Sequence, residues 1–431
     1  MGERTADAVP VETAVEAVFR EERGRLLAAL VRRFGDLDLA EEVTSDAVEA
    51  ALTRWPVEGV PDRPGAWLLT TARRRAVDRL RRDQAYAARL ALMAVEAERA
   101  EPAPPADAGG DLHGDPHGDL PDDRLQLFFT CAHPALADED RVALTLRCLA
   151  GLTTPEVARA FLVPQGTVAQ RVVRAKKKIR QARIPFRVPE ADELPERLPG
   201  VLQVLYSIFT EGYAASSGAR LQRLDLAEEA IRLGRILRRL LPAEREVAGL
   251  LGLMLLIHAR RAARTGPDGA LVLLDEQDRG LWDRPMIEEG RDLVVAALTG
   301  GPAGPYGVEA AIAALHDEAD DLASTDWPQI VALYDVLHAL TPSPVVALNR
   351  AVAVAMRDGP EAGLALLDEL AGEPRLRSYH PYAAARGDLL CRLGRLPEAA
   401  AAYRQALELA GTDPERASLR NRLGAVETNA G

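Results

Sequence analysis

Residues 153 to 180 read TTPEVARAFLVPQGTVAQRVVRAKKKIR, and the reading of this stretch decides the fold. Thr153 followed three residues later by Glu156 is a capping box, in which side chains satisfy the amide groups that a helix start leaves open. A short helix therefore begins here and runs through Ala160. Pro164 cannot continue it, having no amide hydrogen, but it suits the first turn of a second helix. In that second helix Val168, Val172, Ala175 and Ile179 recur at spacings of four, three and four, the repeat of one inward helix face. Thr167, Gln170, Arg171, Arg174 and Lys178 then face outward.

An outward face with short polar groups first and cations later fits a DNA major groove. Gln and Arg can pair with base edges, while the later Lys and Arg, Lys177 among them, neutralise phosphates. The charge distribution agrees. The chain of 431 residues has a formal net charge of -12, yet residues 165 to 187 hold eight cations and no acid. Residues 63 to 82 hold seven arginines against Asp78 alone, and residues 101 to 123 hold seven acids with no Lys or Arg. Two such basic blocks on an acidic chain are the footprint of a phosphate backbone partner. Residues 188 to 431 carry -11 of the net charge, so that part is not expected to bind DNA by itself.

The length allows two or three domains, and 48% hydrophobic with 27% charged residues is the composition of a soluble globular protein. No apolar run approaches the roughly 18 to 20 residues that span a bilayer. The acidic start lacks the basic opening and apolar run of a signal peptide, so a cytoplasmic protein without a membrane segment is expected. Cys131, Cys148 and Cys391 form no CxxC pair and read as reduced, mostly buried thiols. Cys131 and His133 lack a second ligand pair, so neither a metal nor a cofactor is expected. No Walker loop or dinucleotide fingerprint is present.

The pattern predicts an all-α fold: two small helical domains, the second a helix-turn-helix, followed by a larger tetratricopeptide-like helical domain. Residues 11–83 form the first, broken at FGDLD and at the loop RWPVEGVPDRPG. Residues 84–121 are an acidic linker expected to be disordered, with Pro, Gly and Asp dominating from 101 onward. Residues 122–187 form the second domain, PFRVPEADELPERLP (185–199) a hinge, and 200–431 the Ala/Leu-rich remainder. Within it YAAARGDLLCRLGRLPEAAAAYRQALELAGTDPERA places Gly387, Gly394, Ala399, Tyr403 and Ala406 where a tetratricopeptide helix pair needs small and aromatic residues. A weaker copy, LNRAVAVAMRDGPEAGLALLDEL, precedes it, so repeats are placed near 343–425; a generic helical bundle is the alternative.

LTTPEVARAFLVPQGTVAQRVVRAKKKIR resembles the minus-35-binding helix-turn-helix of sigma factors of the extracytoplasmic-function type. LDLAEEVTSDAVEAALTRW resembles the helix by which these proteins hold the clawed coiled coil of RNA polymerase beta-prime, and GAWLLTTARRRAVDRLRR the helix that opens and reads the minus-10 element. The resemblance implies an alternative sigma factor, not an enzyme, whose partners are core RNA polymerase and promoter DNA. It implies polymerase binding by Asp38, Glu41, Glu42 and Asp46, minus-10 contacts by Trp67, Arg73, Arg74, Arg75, Asp78 and Arg79, and minus-35 contacts by Thr167, Gln170, Arg171, Arg174, Lys177 and Lys178. Leu162 stands where the family often has a glycine, and Arg74 where it often has asparagine. VLYSIFTEGYAASSG (204–218) resembles the C-terminal extension of a subgroup, which implies a regulatory domain and a protein partner. Tyr206, Phe209 and Tyr213 in it have the helical spacing of core residues, while Glu211 is either a paired acid or a ligand contact.

Two rival readings differ in class. A stand-alone helix-turn-helix regulator leaves residues 12 to 83 unexplained. An enzyme in the C-terminal half would use His258, His316 or His338, which lie singly with no paired nucleophile or metal spacing.

Overall fold

A computed structural model describes residues 11–95, 123–161, 163–215, 221–266 and 270–430. It divides into two compact units near residue 204. Both are helical, with no strand among the described residues.

The first unit is organised around α1 (Val11–Phe34), whose segment Leu26 to Val31 is buried on every side. One side is covered by α2 (Leu37–Glu58) and α3 (Pro64–Val95), the other by α4 (Arg124–Cys131) and α5 (Asp138–Cys148). Asp36 caps α2 by accepting from the amides of Asp38 and Leu39, at 2.8 and 3.0 Å. Gly59, at φ +84°, closes the same helix just after Pro56, a backbone state that a residue with a Cβ rarely adopts. α3 runs through Val95, so residues 84–95, placed in the linker by composition, are helix: AYAARLALMAV is made of strong helix formers and contains no Gly or Pro. The acidic run 101–121 lies outside the described residues.

α6 (Thr154–Ala160) and α7 (Gln165–Gln181) follow. The capping box is present: the Thr153 amide donates to Glu156 Oε2 at 2.6 Å, and the Glu156 amide to Thr153 Oγ1 at 3.3 Å. Pro164 sits one place earlier than expected, at the N-cap, where its carbonyl accepts from Thr167 N at 2.9 Å. Leu162 lies outside the described residues. Cys131 and Cys148 are buried and Cys391 half-buried, all free thiols. α8 (Leu194–Tyr213) starts inside the expected hinge and carries Pro199 within it. Arg197 at its start donates to the Phe129 carbonyl at 3.1 Å, which ties the beginning of α8 to the first unit.

The second unit continues with α9 (Leu224–Leu240), α10 (Arg245–Ala259), α11 (Arg284–Leu298), α12 (Pro305–Glu318) and α13 (Trp327–Leu340). α10 is apolar all round and nearly fully buried, as a central helix must be. Gly249 lets its backbone touch α12, since a Cβ there would lie 2.6 Å from Gly307 N. The chain ends in α14 (Pro344–Asp358), α15 (Pro360–Glu369), α16 (His380–Arg392), α17 (Leu396–Leu409) and α18 (Asp413–Ala430). α14 with α15, and α16 with α17, are packed pairs joined by tight turns at Gly359 (φ +102°) and Gly394 (φ +72°). Gly387 faces the Tyr403 ring, leaving no room for a Cβ, while Ala399 and Ala406 are fully buried. Small residues thus sit where each pair closes.

Candidate nucleic-acid interface

The inward face of α7 is as its spacing requires: Val168, Val172, Ala175 and Ile179 are all buried. Gln170, Arg174, Lys177 and Lys178 are exposed, and Thr167 and Arg171 half-buried. Acids at the start of α5 hold two of these cations. Arg171 pairs with Glu139 at 2.8 Å, and Arg174 grips Asp140 through two bonds of 2.8 and 2.5 Å. Asp140 is itself buried, so this fork fixes how α7 lies on α5. Lys177 and Lys178 have no ion-pair partner among the described residues and are open to a polyanion. Val173, an apolar side chain in the middle of the outward face, is 63% exposed.

The other side of α7 carries two cations that the outward-face pattern does not single out. Lys176 lies 2.8 Å from Asp38 and also pairs with Glu41, and Arg180 pairs with Asp38. Burial by itself would lower the Lys176 pKa, but the Glu41 and Asp38 carboxylates outweigh it and raise it. Glu41 further accepts from Arg23 at 3.2 Å, and Arg23, 5% exposed, donates its Nε to the Arg147 carbonyl at 3.0 Å. A cleft of about 320 Å³ lies beside these pairs, lined by Asp36, Asp38, Lys176, Arg180 and Pro185.

The rest of the acidic row turns toward α3. Asp46 lies 3.6 Å from Arg75, and Glu42 pairs with Arg79. The four candidate carboxylates Asp38, Glu41, Glu42 and Asp46 are therefore all met by cations of the same chain, and Glu41 is half-buried. On α3, Arg74 and Asp78 are exposed and Arg73 is half-buried. Burial, reinforced by Arg32 and Arg33, lowers the Arg73 pKa. Trp67 packs edge-on against buried Trp55, ring centres 5.5 Å apart. The loop expected over RWPVEGVPDRPG is shorter than its composition suggests: α2 continues through Pro56 to Glu58 and α3 begins at Pro64, leaving residues 59–63 between them.

In the second unit Glu211 is a paired acid, bound to Arg223. Phe209 is fully buried, Tyr213 stacks on it, and the Arg264 guanidinium lies 3.5 Å from the Tyr213 ring centre. Tyr206 donates to Glu309 at 3.4 Å. The three histidines are dispersed: His258 is buried with its pKa pushed down to about 4 by burial, His316 packs on Trp327, and His338 is exposed. His133 accepts from the Ala135 amide at 3.1 Å, a local turn contact.

Helices α2 and α3, with an acidic row and an arginine row, and α7, with its cationic outward face, occupy segments that match known families. Sigma-70 region 2 matches residues 18–86, and Sigma-70, region 4 matches residues 129–179. A family of unknown function (DUF6596) matches residues 197–298. An uncharacterized protein of Rhizobium meliloti (strain 1021) is 43% identical over 410 residues, covering 93% of each chain. The chain belongs to the sigma-70 family of transcription initiation factors, as an extracytoplasmic-function-like member with a C-terminal extension. Families of this kind are non-enzymatic DNA-binding factors, and their two domains imply core RNA polymerase and promoter DNA as partners. No described helix is long and apolar enough to cross a membrane.

Proposed function

We propose that this chain is an alternative sigma factor that binds core RNA polymerase through the acidic row of α2, opens the minus-10 element with α3, and reads the minus-35 element with α7. The observation that carries the reading is that both family matches fall in order on the helices bearing these rows. Domains of 11–83 and 122–187 hold the reading surfaces, and 200–431 serves as a regulatory or assembly extension needed for activity. Promoter-specific run-off transcription with purified core enzyme is the test; absence of any specific transcript from candidate upstream regions, its own included, would favour a stand-alone regulator. Co-purification with core enzyme separates the two directly.

Exposure divides the work on α7. Lys177→Ala should weaken all DNA sequences alike and lower the salt slope of binding, since it meets phosphate only. Arg171→Ala should relax base preference at a cost of about 1 to 3 kcal/mol. Binding to a panel of promoter variants at several salt concentrations checks both, and unchanged selectivity in Arg171→Ala would mean a different docking of the helix. Val173 is well placed to meet a thymine methyl.

The pairs from Lys176 and Arg180 to α2 make this arrangement a closed form, in which two of the four proposed polymerase-binding carboxylates, Asp38 and Glu41, are occupied by the DNA-reading helix. Polymerase binding then has to release α7. Lys176→Ala combined with Arg180→Ala, which removes these pairs and keeps the α2 carboxylates, should open the form and strengthen core binding. Unchanged core affinity in the double variant would remove the closed form from the mechanism.

A further inference from the structure

The second unit contains a polar cluster that neither the reading helices nor the repeat packing uses. Trp282, 3% exposed, lies beneath two guanidiniums, those of Arg279 and Arg260 at 4.6 and 5.3 Å from its ring. Arg260 Nε donates to Asp317 Oδ1 at 2.7 Å, and its Nη2 to the Ala313 carbonyl at 3.0 Å. Arg279 Nη1 donates to the carbonyls of His316 and Ala319, both at 2.6 Å. The end of α12 and the segment 260–282 are thereby stitched together around one ring.

The stitching is incomplete. Arg279 Nη2, Trp282 Nε1, His316 Nδ1 and Asp317 Oδ2 are all shielded from solvent and have no hydrogen-bond partner among the described residues. Buried polar atoms are nearly always satisfied, because an orphan gives up its hydration with nothing in return. Two of these atoms lie at the Arg279 and Trp282 contact and two on the adjoining α12 residues whose carbonyl and carboxylate Arg279 and Arg260 hold, which marks an incomplete polar site. Its charge is also unbalanced: two guanidiniums face one carboxylate. Arg284 lies within electrostatic reach of Asp317, and Asp321 within reach of Arg279. Burial, with Arg260 and Arg279 beside it, pushes His316 down to about 4 and so leaves it neutral at pH 7. Burial lowers Arg279 as well, with Arg260 adding to the effect, the response of a cation short of a counter-charge.

We propose that the cluster of Arg260, Arg279, Trp282, His316 and Asp317 binds a small oxyanion-bearing molecule, a carboxylate or phosphate compound that also carries a hydroxyl or amino donor. The anionic oxygens accept from Arg279 Nη2 and Trp282 Nε1, and the donor satisfies Asp317 Oδ2. The half-buried Arg279, on the short 3₁₀ turn Arg279–Leu281, is the way in. Such a ligand gives the C-terminal extension a chemical input, independent of whether the first unit acts as a sigma factor.

Calorimetric titration and thermal shift of the full chain with malate, succinate and inorganic phosphate test the site without any transcription assay. Saturable binding of at least one probe is expected. Malate exceeding succinate identifies a hydroxy-carboxylate, and phosphate exceeding both identifies a phosphate compound. Arg279→Gln should weaken binding at least tenfold when measured below the variant's own melting transition, where circular dichroism shows it folded. Trp282→Phe, which keeps an aromatic face but removes the indole N–H with its five-membered ring, should weaken it less. No saturable binding of any probe up to about 10 mM, or binding that survives Arg279→Gln unchanged, overturns the proposal, as does a high-resolution structure in which ordered waters alone complete the four atoms.

Discussion

Glu41→Lys is expected to destabilise the first unit by about 3 to 5 kcal/mol, the cost of breaking a buried pair and leaving its partner uncompensated. Glu41 is where three cations converge: Arg23, Arg147 and Lys176. Arg23 is only 5% exposed and cannot turn to water, so a fourth positive charge has no outlet. An acidic row at helical spacing is ordinarily a solvated face on which charge reversal spares the fold. Burial of the Glu41 carboxylate removes that tolerance. Asp38→Asn, at a position whose side chain is 41% exposed, should cost less than about 1 kcal/mol and loosen the end of α7 without unfolding. Urea denaturation of the two variants decides it: similar midpoints would show that the Arg23 and Glu41 pair carries little of the stability.

The second large effect concerns Glu309. It is half-buried with Tyr206, Tyr306, Tyr334 and Glu246 around it, and it accepts a hydrogen bond from the Tyr206 hydroxyl. Burial raises its pKa to about 7 despite that bond, with the Glu246 charge adding to the rise. Glu246 is itself engaged, accepting from the amides of Tyr306 and Gly307 at 3.0 and 3.1 Å. Because the folded pKa lies above the ordinary carboxylate value, the protonated form favours folding. Its contribution is fully present below about pH 4.5 and is lost as the pH rises through about 7, amounting to about 3 kcal/mol. Glu309→Gln should therefore stabilise the second unit at pH 8 by about that amount and leave it nearly unchanged at pH 4.5. Melting curves at the two values check this, and equal shifts at both would mean that the carboxyl titrates normally.

How much of this was legible beforehand depended on the range of the interaction. The capping box at Thr153 and the buried stripe Val168, Val172, Ala175 and Ile179 are local, so residue identity and a 3.6-residue period specify them. The same holds for Gly387 against Tyr403, where small and large residues at repeat spacing foretell a close helix pair. Lys176 with Asp38 was not legible. The two are 138 positions apart and meet only because α1 serves both halves of the first unit. The start of α8 was missed because prolines 195 and 199 read as a hinge, although a proline in the first turn is compatible with a helix and the interior one is tolerated in the folded chain. The orphaned atoms have no local signature, since Arg279 and Trp282 meet His316 and Asp317 only across more than 30 positions of chain.

On the proposed reading, in which α2 holds polymerase and α7 the promoter, the contact of Lys176 and Arg180 with α2 links the two partners thermodynamically. A tethered cationic helix is a competitor that never diffuses away, so the apparent affinity for polymerase falls by the fraction of chains that are open at a given moment. Were one chain in about ten open, polymerase would bind about tenfold more weakly than to a permanently open chain. Reciprocity then applies: whatever factor polymerase gains from promoter occupancy, the promoter gains from polymerase. On the proposed mechanism the coupling between the two partners rests on the three ion pairs that Lys176 and Arg180 make with Asp38 and Glu41.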